Sequence, residues 1–145
     1  MADTENMLPS VFDFSEDVSQ SEQPNPLPIG RYLGEVVAAE AKLSKTGNKY
    51  ADIQVKIAPE SYPVDWAEAA ENPDGLVLHY RRVTLEDSRP SRFRLRRFVE
   101  KAGFPPIGKT LDLNDWIGRN VKAEVKAEKG QDGLMYAVVD DLVAP

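Results

Sequence analysis

The sequence predicts a mainly β fold, a five-stranded barrel with one helix between its third and fourth strands, behind a disordered acidic tail. Three observations carry this. Apolar residues alternate strictly with polar ones in Ala51, Ile53, Val55, Ile57 against Asp52, Gln54, Lys56, and again in Val121, Ala123, Val125, Ala127 against Lys122, Glu124, Lys126, Glu128; this is the period of half-buried strands. A helical repeat at i, i+3, i+4, i+7 stands out at Leu95, Phe98, Val99 and Ala102. The first 28 residues hold six acids (Asp3, Glu5, Asp13, Glu16, Asp17, Glu22) and no base.

That opening stretch is rich in Ser, Gln, Glu and Pro and ends in Pro24-Asn25-Pro26-Leu27-Pro28. Such a composition cannot bury enough surface to order itself, so residues 1–28 read as a tail with a stiff linker, and residues 29–145 as the folded domain. Inside the tail, Leu8, Phe12 and Phe14, with Met7 and Val11, interrupt the acids. An acidic segment with spaced apolar residues suits a docking peptide for a partner; a purely solubilising tail is the alternative.

The first strand begins at Gly30, and Leu33, Val37, Ala39, Ala41 and Leu43 form its expected inward row, broken at Glu35. Ser44-Lys45-Thr46-Gly47-Asn48-Lys49 turns the chain, with Gly47 and Asn48 available for positive φ. The second strand follows from Ala51 to Ile57. Pro59 to Gly75 is a connection with five acids and no base, in which Val64 to Glu71 could form two helical turns. Trp66 lies there; capping the barrel end is favoured over base stacking, because Asp65, Glu68 and Glu71 would repel phosphate. The third strand, Leu76 to Val83, is apolar at its start and basic at its end. Successive side chains on a strand point to opposite faces, so Arg81 and Arg82 cannot both be buried.

The helix starts at Ser88 or Ser91 and stops at Gly103. Around its apolar stripe stand Arg92, Arg94, Arg96, Arg97 and Lys101 against Glu100, and from Arg81 to Lys101 there are eight bases and three acids. Phe93 falls opposite the stripe, so it either stacks on a base or tucks inward if the helix starts later. In the loop from Phe104 to Gly118, Leu111, Leu113, Trp116 and Ile117 are expected to plug the core. The fourth strand follows, then a turn at Gly130-Gln131-Asp132-Gly133, and a fifth strand from Leu134 to Val139.

Bulk composition narrows the function. The chain of 145 residues has no cysteine, which excludes disulfides, thiolate metal sites and cysteine nucleophiles, and its one histidine, His79, has no second imidazole with which to share a metal. No cofactor is expected. No run reaches the length of a membrane span, and the acidic N-terminus is not the basic lead-in of a signal peptide, so a cytoplasmic protein with no membrane partner is expected. The net charge of -6 arises in the tail, because residues 29–145 hold eighteen acids and eighteen bases. Local basic surface, not the total, decides whether nucleic acid binds.

Five strands with a helix between the third and fourth is the layout of an OB-fold. The sequence also resembles a family of phage and prophage proteins regarded as OB-fold single-stranded DNA-binding proteins of replication and recombination modules. The resemblance rests on Gly30-Arg31-Tyr32, Ser44-Lys45-Thr46-Gly47-Asn48, the Arg-rich segment leading into Phe98, Trp116-Ile117-Gly118, and the closing strand from Gly133 to Val138. It spans roughly residues 29 to 143 and implies a sequence-tolerant single-stranded DNA binder that coats and protects the strand, acting in the host cytoplasm. Many such proteins carry their acidic tail at the C-terminus, whereas here it is N-terminal.

A single-strand binder needs a basic groove and aromatic faces for stacking. The candidates are Lys45, Lys49, Tyr50 and Lys56 around the first hairpin, Arg81 and Arg82 on the third strand, and Arg92, Phe93, Arg94, Arg96 and Arg97 of the helix, with Tyr32 and Tyr80 as weaker stacking positions. The hairpin set is the safer one, since an OB-fold helix normally sits away from the ligand face. The tail acids could fold back onto this groove, so deleting residues 1–28 is expected to tighten DNA binding. Two other classes remain. One is an adaptor or structural protein whose Arg-rich face binds an acidic protein; on either reading the protein could be a homo-oligomer. The other is a nuclease using Asp112, Asp115, Asp140 or Asp141 for a divalent ion, which is disfavoured because no phosphate loop, Ser/His/Asp set or HExxH spacing occurs.

Overall fold

A computed structural model describes residues 8–145; Asp3, Glu5 and Met7 of the tail lie outside the described residues. Five strands, β1 Gly30–Leu43, β2 Lys49–Ile57, β3 Leu76–Thr84, β4 Asn120–Lys129 and β5 Met135–Val143, form one antiparallel sheet in the order β3-β2-β1-β4-β5. The helix α1, Arg89–Ala102, lies between β3 and β4 as expected. No hydrogen-bonded ladder closes the sheet between its edge strands β3 and β5. Side chains bridge them instead, with Arg82 Nη2 3.1 Å from Asp140 Oδ1.

Three bulges explain where the observed faces depart from simple alternation. On β1 the register against β2 slips between Val36 and Ala38, and an extra residue reverses the parity of everything beyond it. The buried positions are therefore Tyr32, Gly34, Val36 and then Ala39, and Leu33, expected inside, is exposed; Ala41 and Leu43 share the face of Ala39 but are exposed at the far end of the strand. The strand bends here, its first part pairing with β4 and its later part with β2. Gly34 occupies the corner, where an added Cβ would lie 2.7 Å from Val55 Cγ1. Val36 secures it by donating its N–H to Arg119 O and accepting from Gly118 N.

On β3 the register runs from Ile53↔Tyr80 to Ala51↔Val83, so Arg81 and Arg82 together oppose Asp52. Tyr80 and Val83 stay in the core, and both arginines reach solvent. On β5 the register runs from Val125↔Val139 to Glu124↔Asp141, leaving Asp140 as the extra residue. Val139 and Leu142 consequently both face inward, and the strand extends to Val143 rather than ending at Val139.

The helix is capped by Ser88, whose hydroxyl accepts from Ser91 N, and ends at Gly103 with φ 76°. It buries Val99 and Ala102 and places Phe98 among Tyr80, Phe104 and Trp116, with ring centroids 5.5–5.7 Å apart. Trp116 is fully buried and Leu111 and Leu113 are partly buried against the core, but Ile117, expected in this plug, is exposed.

Between β2 and β3 the chain makes 3-10 turns at Pro59–Ser61 and Ala67–Glu71 in place of α-helical turns. Trp66 is buried, its Nε1–H donating to Asn25 O at 3.1 Å. The proline-rich linker is thus docked on the domain. Gln23 Nε2 donates to Met135 O, Asn25 N donates to Glu68 Oε1, Leu27 is buried, and Tyr32 OH donates to Pro28 O. Leu8, Phe12 and Phe14 are exposed. No helix among the described residues is long and apolar enough to cross a membrane.

Candidate nucleic-acid interface

The outward row of β2 is Tyr50, Asp52, Gln54 and Lys56. Lys42 of β1 lies opposite Tyr50, and His79 of β3 lies opposite Gln54. The centre of this face is Asp52, which sequence reasoning counts only as a polar spacer. It is 1% exposed although it points away from the core. Three basic side chains roof it: Lys42 Nζ at 2.8 Å, His79 Nδ1 at 2.9 Å and Arg81 Nε at 3.4 Å. Burial pushes the Asp52 carboxyl up, but the hydrogen bonds from Lys42 and His79 and the charges of His79 and Arg81 outweigh it and hold the group below the ordinary carboxylate range. The same hydrogen bond raises Lys42 above the usual lysine value.

One carboxylate thus fixes three side chains that would otherwise sample many rotamers. Each keeps 40–56% of its side-chain surface exposed and so retains donors for a ligand. The sequence signal that could have found this is an acid in the middle of an outward row, flanked by basic residues on both neighbouring strands.

The structure brings some of the expected residues together and separates others. Tyr50, half-buried, and Lys56, exposed, share the face with the Asp52 cluster. Lys45 stands exposed in the Ser44–Asn48 turn, which Ser44 Oγ braces by accepting from Asn48 N. Lys49 has the parity of Ala51 and extends from the end of β2 on the other face, its backbone N–H donating to Glu86 Oε1. Tyr32 and Tyr80 are core residues and are not available for stacking. Burial, with the charge of Asp141, pushes the Tyr80 hydroxyl up to about 12.

The helix arginines split between two flanks. Arg92 pairs with Asp87, and Arg96 Nε with Glu100 Oε1 at 2.9 Å. Arg94 and Arg97, which make no ion pair among the described residues, line a cleft of about 720 Å³ between α1, β3 and β5, together with Arg82, Lys101, Glu100 and Asp141. Phe93 is 58% exposed, which settles its position outside the core.

Three of the four carboxylates weighed for a metal are otherwise engaged, and the fourth, Asp115, is exposed. Asp112 caps the 3-10 turn Leu113–Trp116, Asp140 pairs with Arg82 and Lys126, and Asp141 pairs with Lys101. Among the described residues no group of three or more His, Asp or Glu side chains is placed to share a metal ion. In comparisons with known proteins, no family model and no curated protein matches the chain.

Proposed function

We propose that this protein binds single-stranded DNA without catalysing a reaction on it, through the outer face of β2 and β3. The observation that carries the reading is the Asp52 cluster: Lys42, His79 and Arg81 held as an ordered, half-exposed patch beside Tyr50, Gln54 and Lys56. Ordered cations on an open sheet face can follow a phosphate backbone, and a tyrosine at the patch edge can stack on any base, which favours sequence tolerance. The strand order and the single helix between β3 and β4 suit an OB-fold, whose strand 2–3 face is a common nucleic-acid site. On this reading the protein coats and protects single strands during replication or recombination, the role that the sequence resemblance implies.

The test is anisotropy of a labelled oligo-dT of about 30 nucleotides, titrated at several salt concentrations with duplex as competitor. The reading expects tight binding that resists duplex and weakens with salt by a log-log slope near -0.7 per phosphate contact. No binding at low salt, with or without residues 1–22, sinks it.

One observation favours a second reading, an adaptor for a protein partner. An apolar groove of about 900 Å³ runs along the other flank of α1, lined by Leu85, Leu95, Val99, Phe104 and Ile107 and rimmed by Arg92 and Arg96. Indifference to single-stranded DNA alongside a stable protein complex would select it.

A further inference from the structure

We infer that the bound strand does not stop at the β2–β3 face but crosses the β3 edge and continues onto the Phe93–Arg94–Arg97 flank of α1; this rests on the single-strand reading above. The argument starts at the bulge opposite Asp52. Because two residues occupy one register position, both side chains stay outside the core between the inward Tyr80 and Val83, and each turns to a different neighbouring strand. Arg81 turns to Asp52 on the outer face, and Arg82 turns to the seam, where it meets Asp140 and lines the cleft under α1. Consecutive Cα atoms are about 3.8 Å apart, so the two faces are joined through neighbouring arginines whose side chains are 56% and 62% exposed.

Across the seam, Phe93, Arg94, Arg97 and Lys101 follow at helical spacing along one flank of α1. The cleft is lined by four bases against two acids. Lys101 is held by Asp141, and its hydrogen bond to that acid raises the ammonium above its usual value. Arg94 and Arg97 have no acid partner among the described residues, unlike Arg92 and Arg96 on the opposite flank. An exposed phenylalanine beside two unpaired arginines combines the stacking face and the backbone charge that single-stranded nucleic acid uses.

The experiment compares wild type, Arg94→Ala/Arg97→Ala, Arg94→Lys/Arg97→Lys and Phe93→Ala on dT8, which can occupy the β2–β3 face alone, and on dT30. All substituted side chains are exposed, and thermal melts confirm that the variants fold. The alanine pair is expected to match wild type on dT8 and to lose about 1.4 from the magnitude of the salt slope on dT30, two contacts at about 0.7 each. The lysine pair restores the slope. Phe93→Ala weakens dT30 binding about tenfold with the slope unchanged. An alanine pair indistinguishable from wild type on dT30 overturns the inference and leaves the single-strand reading standing. Equal losses on dT8 and dT30 also overturn it, because they place the arginines within the first site. Wild-type protein that binds neither oligonucleotide overturns the reading and the inference together.

Discussion

Replacing Asp52 by Asn removes one charge from beneath Lys42, His79 and Arg81 with little change of shape. The carboxylate is 1% exposed, but its three partners are 40–56% exposed and return to water when it is gone. Discounted for that exposure, each contact contributes about 0.5–1 kcal/mol, or about 2 kcal/mol for the three. Asn keeps one acceptor, so the expected loss at neutral pH is about 1–2 kcal/mol, a fall of about 3–8 °C in Tm for a chain of this size. The pH dependence gives the sharper test. Because the native carboxyl titrates below the ordinary range, its contribution is fully present above the unfolded value of about 3.9. It is lost as pH falls through the lower native value. Urea unfolding from pH 7 down to pH 3 should therefore show wild type and Asp52→Asn converging as the solution becomes acidic. No difference at pH 7, or a gap that persists undiminished at pH 3, refutes the reasoning. If the carboxylate also organises the patch for DNA, Asp52→Asn binds oligo-dT no tighter despite its added positive charge. Tightening would show that the acid merely offsets its neighbours.

Other outcomes follow from the same geometry. Tyr50→Ala should weaken oligo-dT binding by about 1–3 kcal/mol with little change in Tm, whereas Tyr80→Ala, which empties a core position, should cost about 3–5 kcal/mol of stability in denaturant titrations. Gly34→Ala should lower Tm, because its Cβ would lie 2.7 Å from Val55 Cγ1 and 3.1 Å from Lys56 O; a Tm within a degree of wild type would mean the corner can relax. Truncation of residues 1–22 should tighten DNA binding at low salt and leave Tm unchanged. Removing residues 1–28 should in addition destabilise the fold, since it deletes Leu27 and the acceptor of the Trp66 indole.

The elements themselves were largely legible in the sequence, because each strand carries its own period and the helix its own caps at Ser88 and Gly103. Faces were less so. A bulge leaves no mark in composition, yet it moves Leu33 outward on β1, exposes both Arg81 and Arg82, and carries Leu142 into the core after two aspartates that look like a strand end. The candidate site was legible as a region and not as a mechanism. Tyr50 and Lys56 follow from alternation, but the burial of Asp52 depends on side chains from β1 and β3 meeting above it, a pairing that sequence separation hides. The docked linker was illegible for a related reason: Leu27 and Asn25 sit in a polar, proline-rich stretch whose order is supplied by Trp66 and Glu68, more than forty residues away.

That anchorage changes how the acidic segment acts. With Gln23 fixed on β5 and Asn25 on the Trp66 turn, the exposed stretch from Leu8 to Glu22 is a short leash, reaching about 21 Å if it behaves as a flexible chain of fifteen residues. Tethers of this length present their charges to a nearby surface at millimolar effective concentration. The contact of the tail acids with the basic face is therefore intramolecular and insensitive to dilution of the protein, whereas their displacement depends on salt and on the concentration and length of the strand offered.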